Sequence, residues 1–198
     1  MGAGASDQAT DVPPARATTT APLDSPERRL FRLLFDAHAS YVAASLARLG
    51  VRDADRDDLV SEVFVRVHRE LDRYDVERPA KPWLFAFAAR VASEHRRLAR
   101  HRREVLADGP EVASNAPLPD RALEREEAKK LVDHALDALD DDKRAVFVLH
   151  DLDETPVPEI ARALGLAEGT AYSRLRAARA EFTAAVRRLQ TQRPGRPS

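Results

Sequence analysis

The stretch Thr155 to Arg179, TPVPEIARALGLAEGTAYSRLRAAR, constrains the fold most, because it specifies two short helices around a glycine turn. Thr155 can cap the first helix, with Pro156 at the first helical position, where a missing N–H costs no hydrogen bond. Val157, Ile160, Ala161 and Leu164 recur at helical spacing, and Gly165 supplies a left-handed stop. A second helix from about Glu168 buries Ala171, Leu175 and Ala178. Thr170, Tyr172, Ser173, Arg174, Arg176 and Arg179 are left on outward sides, a set suited to holding phosphates and reaching base edges in a major groove. The alternative is a helical hairpin in some other bundle, its arginines merely solvated.

The formal net charge of -1 argues superficially against a nucleic-acid partner. The charges are segregated, however: acids crowd Asp53 to Glu62 and Asp137 to Asp142, while arginines crowd Arg90 to Arg103 and Arg174 to Arg188. Local field, not the total, decides what each face binds. Cys 0 excludes disulfides, thiolate metal sites and a cysteine nucleophile. No apolar run reaches membrane-spanning length and no secretory signal opens the chain, so a cytoplasmic protein without direct membrane contact is expected.

In chain order, residues 1–25 are rich in Ala, Thr, Pro, Gly and Ser without apolar period, which predicts a disordered tail. From Pro26, Phe31, Phe35, Val42, Leu46 and Leu49 form a helical stripe ending at Gly50. After an Asp53–Asp55 corner, a second helix runs to about Tyr74, with Val60, Val63, Phe64, Val67 and Leu71 inward. Its other side stacks Asp55, Asp58 and Glu62, like charges that cost a few tenths of a kcal/mol per pair in an isolated helix. The helix dipole accounts for acids at its start, and Arg66 can pair with Glu62. A partner-binding face is the other account.

Tyr74 to Pro82 reads as a loop, followed by a helix from Trp83 to Arg103 with Trp83, Leu84, Phe87, Ala88, Val91 and Leu98 on its buried stripe. Its arginines exceed what capping requires and favour a nucleic-acid face. Residues 104–119 are proline-containing and aperiodic, a flexible linker. Beyond it, a charged helix from Ala122 to Leu139 carries Leu123, Leu131, Leu136 and Leu139, and Asp140 to Asp142 open another with Val146, Phe147, Leu149 and His150. Residues 191–198 form a second disordered tail. The expected fold is all-α, with two small helical domains, 26–103 and 120–190. No His-Glu-x-x-His pattern or Gly-rich phosphate loop is present, so no enzyme activity, metal or cofactor is expected. His95 and His101 are read as solvated or phosphate-contacting.

Two motifs in the same order carry a resemblance. Asp55 to Phe64, DRDDLVSEVF, resembles the polymerase-binding helix of extracytoplasmic-function sigma factors, and Trp83 and Leu84 open a helix like the one that follows it in that family. Glu159-Ile160-Ala161, Gly169-Thr170 and Ser173-Arg174-Leu175 resemble the family's C-terminal helix-turn-helix. The likeness runs from about Leu30 to Leu189. It implies a sigma region 2-like domain and a region 4-like domain, in a transcription initiation factor that directs core RNA polymerase to promoters and assists strand opening. The implied partners are the clamp helices of the largest subunit, the flap of the other large subunit, promoter DNA and an anti-sigma factor.

Position by position, the resemblance implies polymerase docking at Asp55, Asp58, Leu59, Glu62 and Phe64. It implies minus-10 recognition at Tyr74, Arg78, Lys81, Arg90, Glu94 and Arg97, and minus-35 recognition at Thr170, Tyr172, Ser173, Arg174 and Arg176. The chain departs from the family pattern at Arg56 and Ser61, at Arg90 and Glu94, and at Ala167, where a frequent Ser would cap the recognition helix. Pro158 beside Pro156 is also unusual. The competing readings are a polymerase-independent helix-turn-helix regulator and a helical protein-protein adaptor.

Overall fold

The computed structural model describes residues 25–106 and 120–192, side chains being described for 25–101 and 126–192. The expected tails lie outside these residues except at their inner ends, as does the expected linker beyond Leu106. Every regular element among the described residues is helical. Helix α1 spans Pro26–Arg48, capped by Ser25, whose hydroxyl accepts from the Arg28 N–H at 3.3 Å. Helix α2 spans Asp53–Arg69, so the expected acidic corner is its first turn, where carboxylates favour the helix dipole. It stops earlier than its apolar period suggests, because the chain tightens into a single 3-10 turn at Leu71–Arg73.

Helix α3, Ala80–Leu106, begins before Trp83 and continues past the expected linker boundary. Its stripe is wider than the sequence indicates: Phe85, Ala86 and Ala92 are buried along with Leu84, Phe87, Ala88 and Val91. The reason is position, since α3 packs on α1 and α2 and also on elements from the other end of the chain. A helix with neighbours on several sides buries a wider stripe than a surface helix does. Leu98, expected inward, is 54% exposed, because α3 has by then passed beyond the packed core.

The C-terminal group comprises α4 (Asp120–Asp137), α5 (Asp141–Phe147), α6 (Val157–Leu164) and α7 (Glu168–Thr191). Asp140 caps α5, accepting from the Lys143 N–H at 2.8 Å. Helix α5 widens into a π-helical turn at Val148–Leu152, which the sequence does not announce. The chain leaves it through Asp153 and through Glu154, a non-glycine residue at φ 55°. Phe147 stacks on Phe182 with ring centroids 4.6 Å apart, locking α5 to α7.

The two helical groups share one core. Val42, Leu46, Val63, Leu84 and Phe87 from the first belong to the same buried cluster as Leu136, Leu149, Ile160 and Leu175 from the second. Helices α5 and α6 supply the contact, packing on α3.

Candidate nucleic-acid interface

The helix-turn-helix is built as its local chemistry dictates, with one shift. Thr155 does not cap α6: it is buried, its N–H bonds the Leu149 carbonyl at 2.9 Å, and Pro156 takes the cap position without a side-chain bond. Pro158 then falls in the first turn, where its missing N–H leaves no carbonyl unmatched, which explains how two prolines coexist there. Gly165 stops α6 at φ 66°, and the Leu166 N–H reaches back to the Ala161 carbonyl at 2.7 Å. Ala167 occupies the N-cap of α7 in extended conformation and supplies no side-chain bond.

Ala171, Leu175 and Ala178 are buried, and Thr170, Tyr172, Ser173 and Arg176 are exposed on the opposite side of α7. Tyr172 is 55% exposed, its ring lying outside the core. Ser173 uses its hydroxyl internally, donating to the Thr170 carbonyl at 2.9 Å. Arg174 is half-buried and ion-paired with Asp142 at 2.7 Å, so it must leave that carboxylate to meet a phosphate. Arg179 is similarly engaged, its guanidinium on Asp151 and beside His150. Its hydrogen bonds hold the Asp151 carboxyl below the usual range.

On the other group, Asp58 and Glu62 are exposed along α2, and Asp55 is half-exposed. Asp55 accepts from Arg52 at 3.0 Å and lies 3.6 Å from His95 Nε2. Leu59 and Phe64 point inward, at 8% and 2% exposure, so they brace this helix and leave its outer face to the carboxylates. Phe64 forms the floor of a shallow cleft whose rim includes Phe31, Phe35, Val65 and His68.

Arg66 joins two predicted sets. It bonds Glu62 one turn away and donates to both oxygens of Glu94 on α3, at 3.0 and 2.6 Å. The hydrogen bonds from Arg66 hold the Glu94 carboxyl low, and the guanidinium is correspondingly raised. Glu62–Arg66 was legible from spacing; Glu94 as second partner was not, being on another helix.

The Tyr74–Lys81 loop is shaped by its own polar groups. Tyr74 packs on Trp83 with ring centroids 4.7 Å apart and planes tilted by 33°, and donates to the Arg78 carbonyl at 3.1 Å, while Asp75 accepts from the Glu77 N–H and pairs with Arg78 at 2.8 Å. Lys81 lies over the Tyr41 ring at 5.5 Å. Arg90 lies over the Phe87 ring at 4.6 Å. Arg90, Glu94 and Arg97 are exposed at three- and four-residue spacing, one face of α3. Ring contacts link the loop to that face, Tyr74 on Trp83, Trp83 on Phe87 and Phe87 under Arg90, while α7 presents its basic side on a separate helix. Arg102 and Arg103 lie beyond the described side chains.

Among the described residues no helix is long and apolar enough to cross a membrane, and no group of His, Asp and Glu is arranged to hold a metal ion. The site offers carboxylates on α2, cations and aromatics at α3 and its loop, and a polar-basic helix face on α7, which are means of binding.

Comparison with known proteins accounts for both halves. Sigma-70 region 2 matches residues 34–103 and Sigma-70 region 4 matches residues 129–182. The ECF RNA polymerase sigma factor SigL of Mycobacterium tuberculosis is 34% identical over 154 residues, covering 75% of this chain and 84% of that protein. The RNA polymerase sigma factor CnrH of Cupriavidus metallidurans is 30% identical over 170 residues, covering 81% of this chain and 88% of its own. The structure of CnrH with the cytosolic domain of CnrY aligns with TM-score 0.56 over 79% of this chain and 87% of that one. The sigma factor RpoE of Bartonella quintana, in complex with the anti-sigma factor NepR, shares the fold, with TM-score 0.62 at 21% identity over 80% of this chain and 98% of that one. The chain belongs to the extracytoplasmic-function group of the sigma-70 family, the transcription-initiation sigma factors of RNA polymerase.

Proposed function

We propose that this sigma factor acts by binding alone, in the cytoplasm, carrying core RNA polymerase to promoters through two DNA-reading surfaces on separate helical groups. The observation that carries the reading is the coexistence, in one chain, of the exposed Asp58 and Glu62 face on α2 and the exposed Thr170, Tyr172 and Arg176 face on α7. An ordinary regulator requires the second and has no use for the first.

The acidic face, with Asp55, is the polymerase-docking surface, set on a helix that Leu59 and Phe64 anchor. Carboxylates facing a basic partner steer encounter and fix register. Tyr74, Arg78, Lys81, Arg90, Glu94 and Arg97 form the minus-10 surface, where aromatic and guanidinium planes receive unstacked bases and cations hold phosphates. Unstacking costs a few kcal/mol per extruded base, offset by contacts to polymerase and to the freed strand. Thr170, Tyr172, Ser173, Arg174 and Arg176 form the minus-35 surface of a major-groove helix. Linking the two groups raises the effective concentration of the second contact once the first is made. The clamp helices of the largest subunit and the flap of the other large subunit are the proposed polymerase contacts, with an anti-sigma protein as the proposed inhibitor.

An electrophoretic binding assay on a promoter duplex, with and without core polymerase, tests this reading. Retention that requires core supports it. Tight binding of a palindromic site by a free dimer of this chain would replace it with the polymerase-independent regulator.

A further inference from the structure

Helices α1 and α2 meet along an aromatic cleft that the two DNA-reading sets leave out. Phe64, buried at its floor, packs edge-to-face with Phe31 and Phe35, ring centroids 6.2 and 4.8 Å away, and Phe31 meets the His68 ring at 5.0 Å. Two adjoining hollows, of about 430 and 350 Å³, open over these rings. Large apolar side chains remain in water at their edge: Phe35 is 40% exposed and Val65 49%. Single apolar side chains on a surface carry no message, but a contiguous aromatic patch marks a binding surface.

The rim of the cleft is basic. Arg28, Arg32 and Arg69 border the hollows and make no ion pair among the described residues, unlike Arg66, which is committed to Glu62 and Glu94. An occupant therefore needs apolar groups that pack on rings and carboxylates that meet these guanidiniums.

The chain supplies both just ahead of α1. Residues 1–24 carry Asp7, Asp11 and Asp24 against a single basic side chain, Arg16, and contain Val12-Pro13-Pro14 directly after Asp11. Adjacent prolines fix φ and favour polyproline II, a shape that aromatic-lined grooves bind with little further ordering. Ten residues, 15–24, separate Pro14 from Ser25, the cap of α1. A flexible tether of that length has a root-mean-square span of about 16–19 Å, and the helix rises about 15 Å from Ser25 to Phe35. Span and tether match, which puts the segment over the cleft at an effective concentration on the order of 1 mM.

We propose that Asp11 to Pro14 folds back along α1 and seats in this cleft, with Val12, Pro13 and Pro14 on the rings and Asp7 and Asp11 on the arginine rim. Ser61, Phe64 and Val65 of α2 line the same hollow, so the seated segment covers one edge of the surface proposed for polymerase docking. The seat stands without that reading, whereas its competition with polymerase rests on it.

The chain has no native cysteine, so a nitroxide at Gln8→Cys is the only spin label in the 198-residue protein. It should quench the NMR signals of Phe35 and Val65 and spare Tyr172 on α7. In the same labelled background, the Asp11→Lys, Val12→Ser, Pro13→Gly, Pro14→Gly variant is altered only ahead of α1, so the helical fold is untouched. It should recover both signals and bind core polymerase about tenfold more tightly, the gain from freeing a cleft occupied about nine-tenths of the time. Equal signals in parent and variant would overturn the seat. Quenching found only between a nitroxide-bearing chain and a separate isotope-labelled chain would assign the cleft to a second copy and overturn it as well. Quenching with core affinity unchanged by the variant keeps the seat and removes its competition with polymerase. Failure of both chains to bind core removes the polymerase reading and leaves the seat standing.

Discussion

Arg66 and Glu94 are joined through both carboxylate oxygens, at 3.0 and 2.6 Å, across the gap between α2 and α3. Because Arg66 also holds Glu62, one cation ties the proposed polymerase face to the proposed minus-10 face. A carboxyl depressed in the folded state contributes stability above its unfolded pKa and loses it as pH falls through its lower folded value. Carboxyl-detected NMR should place the Glu94 midpoint below the ordinary glutamate value of about 4.3. Arg66→Ala should return it toward that value. A Glu94 midpoint indifferent to Arg66 would show that the pair does not persist in solution.

Gly50→Ala should destabilise the fold by about 1–2 kcal/mol, because φ is 86° there and an L side chain strains in that region. The loss should exceed strain alone, since a Cβ there would meet the guanidiniums of Arg144 and Arg96, and Arg144 is buried and cannot withdraw as the tip of Arg96 can. Urea denaturation reads the change as a lower midpoint at constant slope.

Ala167→Ser should have the opposite sign. The backbone at Ala167 already has N-cap conformation, φ -67° and ψ 141°, and lacks only the side-chain acceptor. Restoring it should add about 1 kcal/mol, seen as a raised melting temperature. An unchanged melting temperature would mean that the first turn of α7 is not organised around that residue.

The helix-turn-helix was legible in the sequence because its determinants are local: Gly165 ends one helix, and Ala171, Leu175 and Ala178 are small and apolar at the spacing that faces the crossing. The outward set on α7 followed from the same period. Thr155 misled, because a residue with capping chemistry was drawn into the core by the Leu149 carbonyl. Phe85 and Ala86 could not be assigned to the core from one stripe, since their burial comes from helices on several sides of α3. The hydrogen bonds of Asp153 with Tyr41 and Arg48 were illegible for a different reason: these partners lie 112 and 105 residues away, and their meeting depends on a π-helical turn with no sequence mark.

At the DNA face, Arg176→Ala should weaken promoter binding almost uniformly across sequences and reduce the salt slope by about 1 if it neutralises one phosphate. Arg174→Ala should have a smaller effect on the slope, because its guanidinium is already committed to Asp142. Binding titrations over a range of salt concentrations with core polymerase present compare the two. Equal slopes for Arg174→Ala and Arg176→Ala would show that Arg174 abandons Asp142 on DNA.

On the proposed reading, α2 brings polymerase and α7 brings promoter DNA to one chain. Run-off transcription with purified core on a genomic fragment library compares the native chain with the Asp58→Lys, Glu62→Lys double variant. The native chain should yield discrete transcripts only with core, and the double variant should lose them through weaker core binding while its C-terminal group remains folded. Transcripts of equal strength from the double variant would rule out polymerase docking through Asp58 and Glu62, and none from the native chain would rule out promoter-directed transcription.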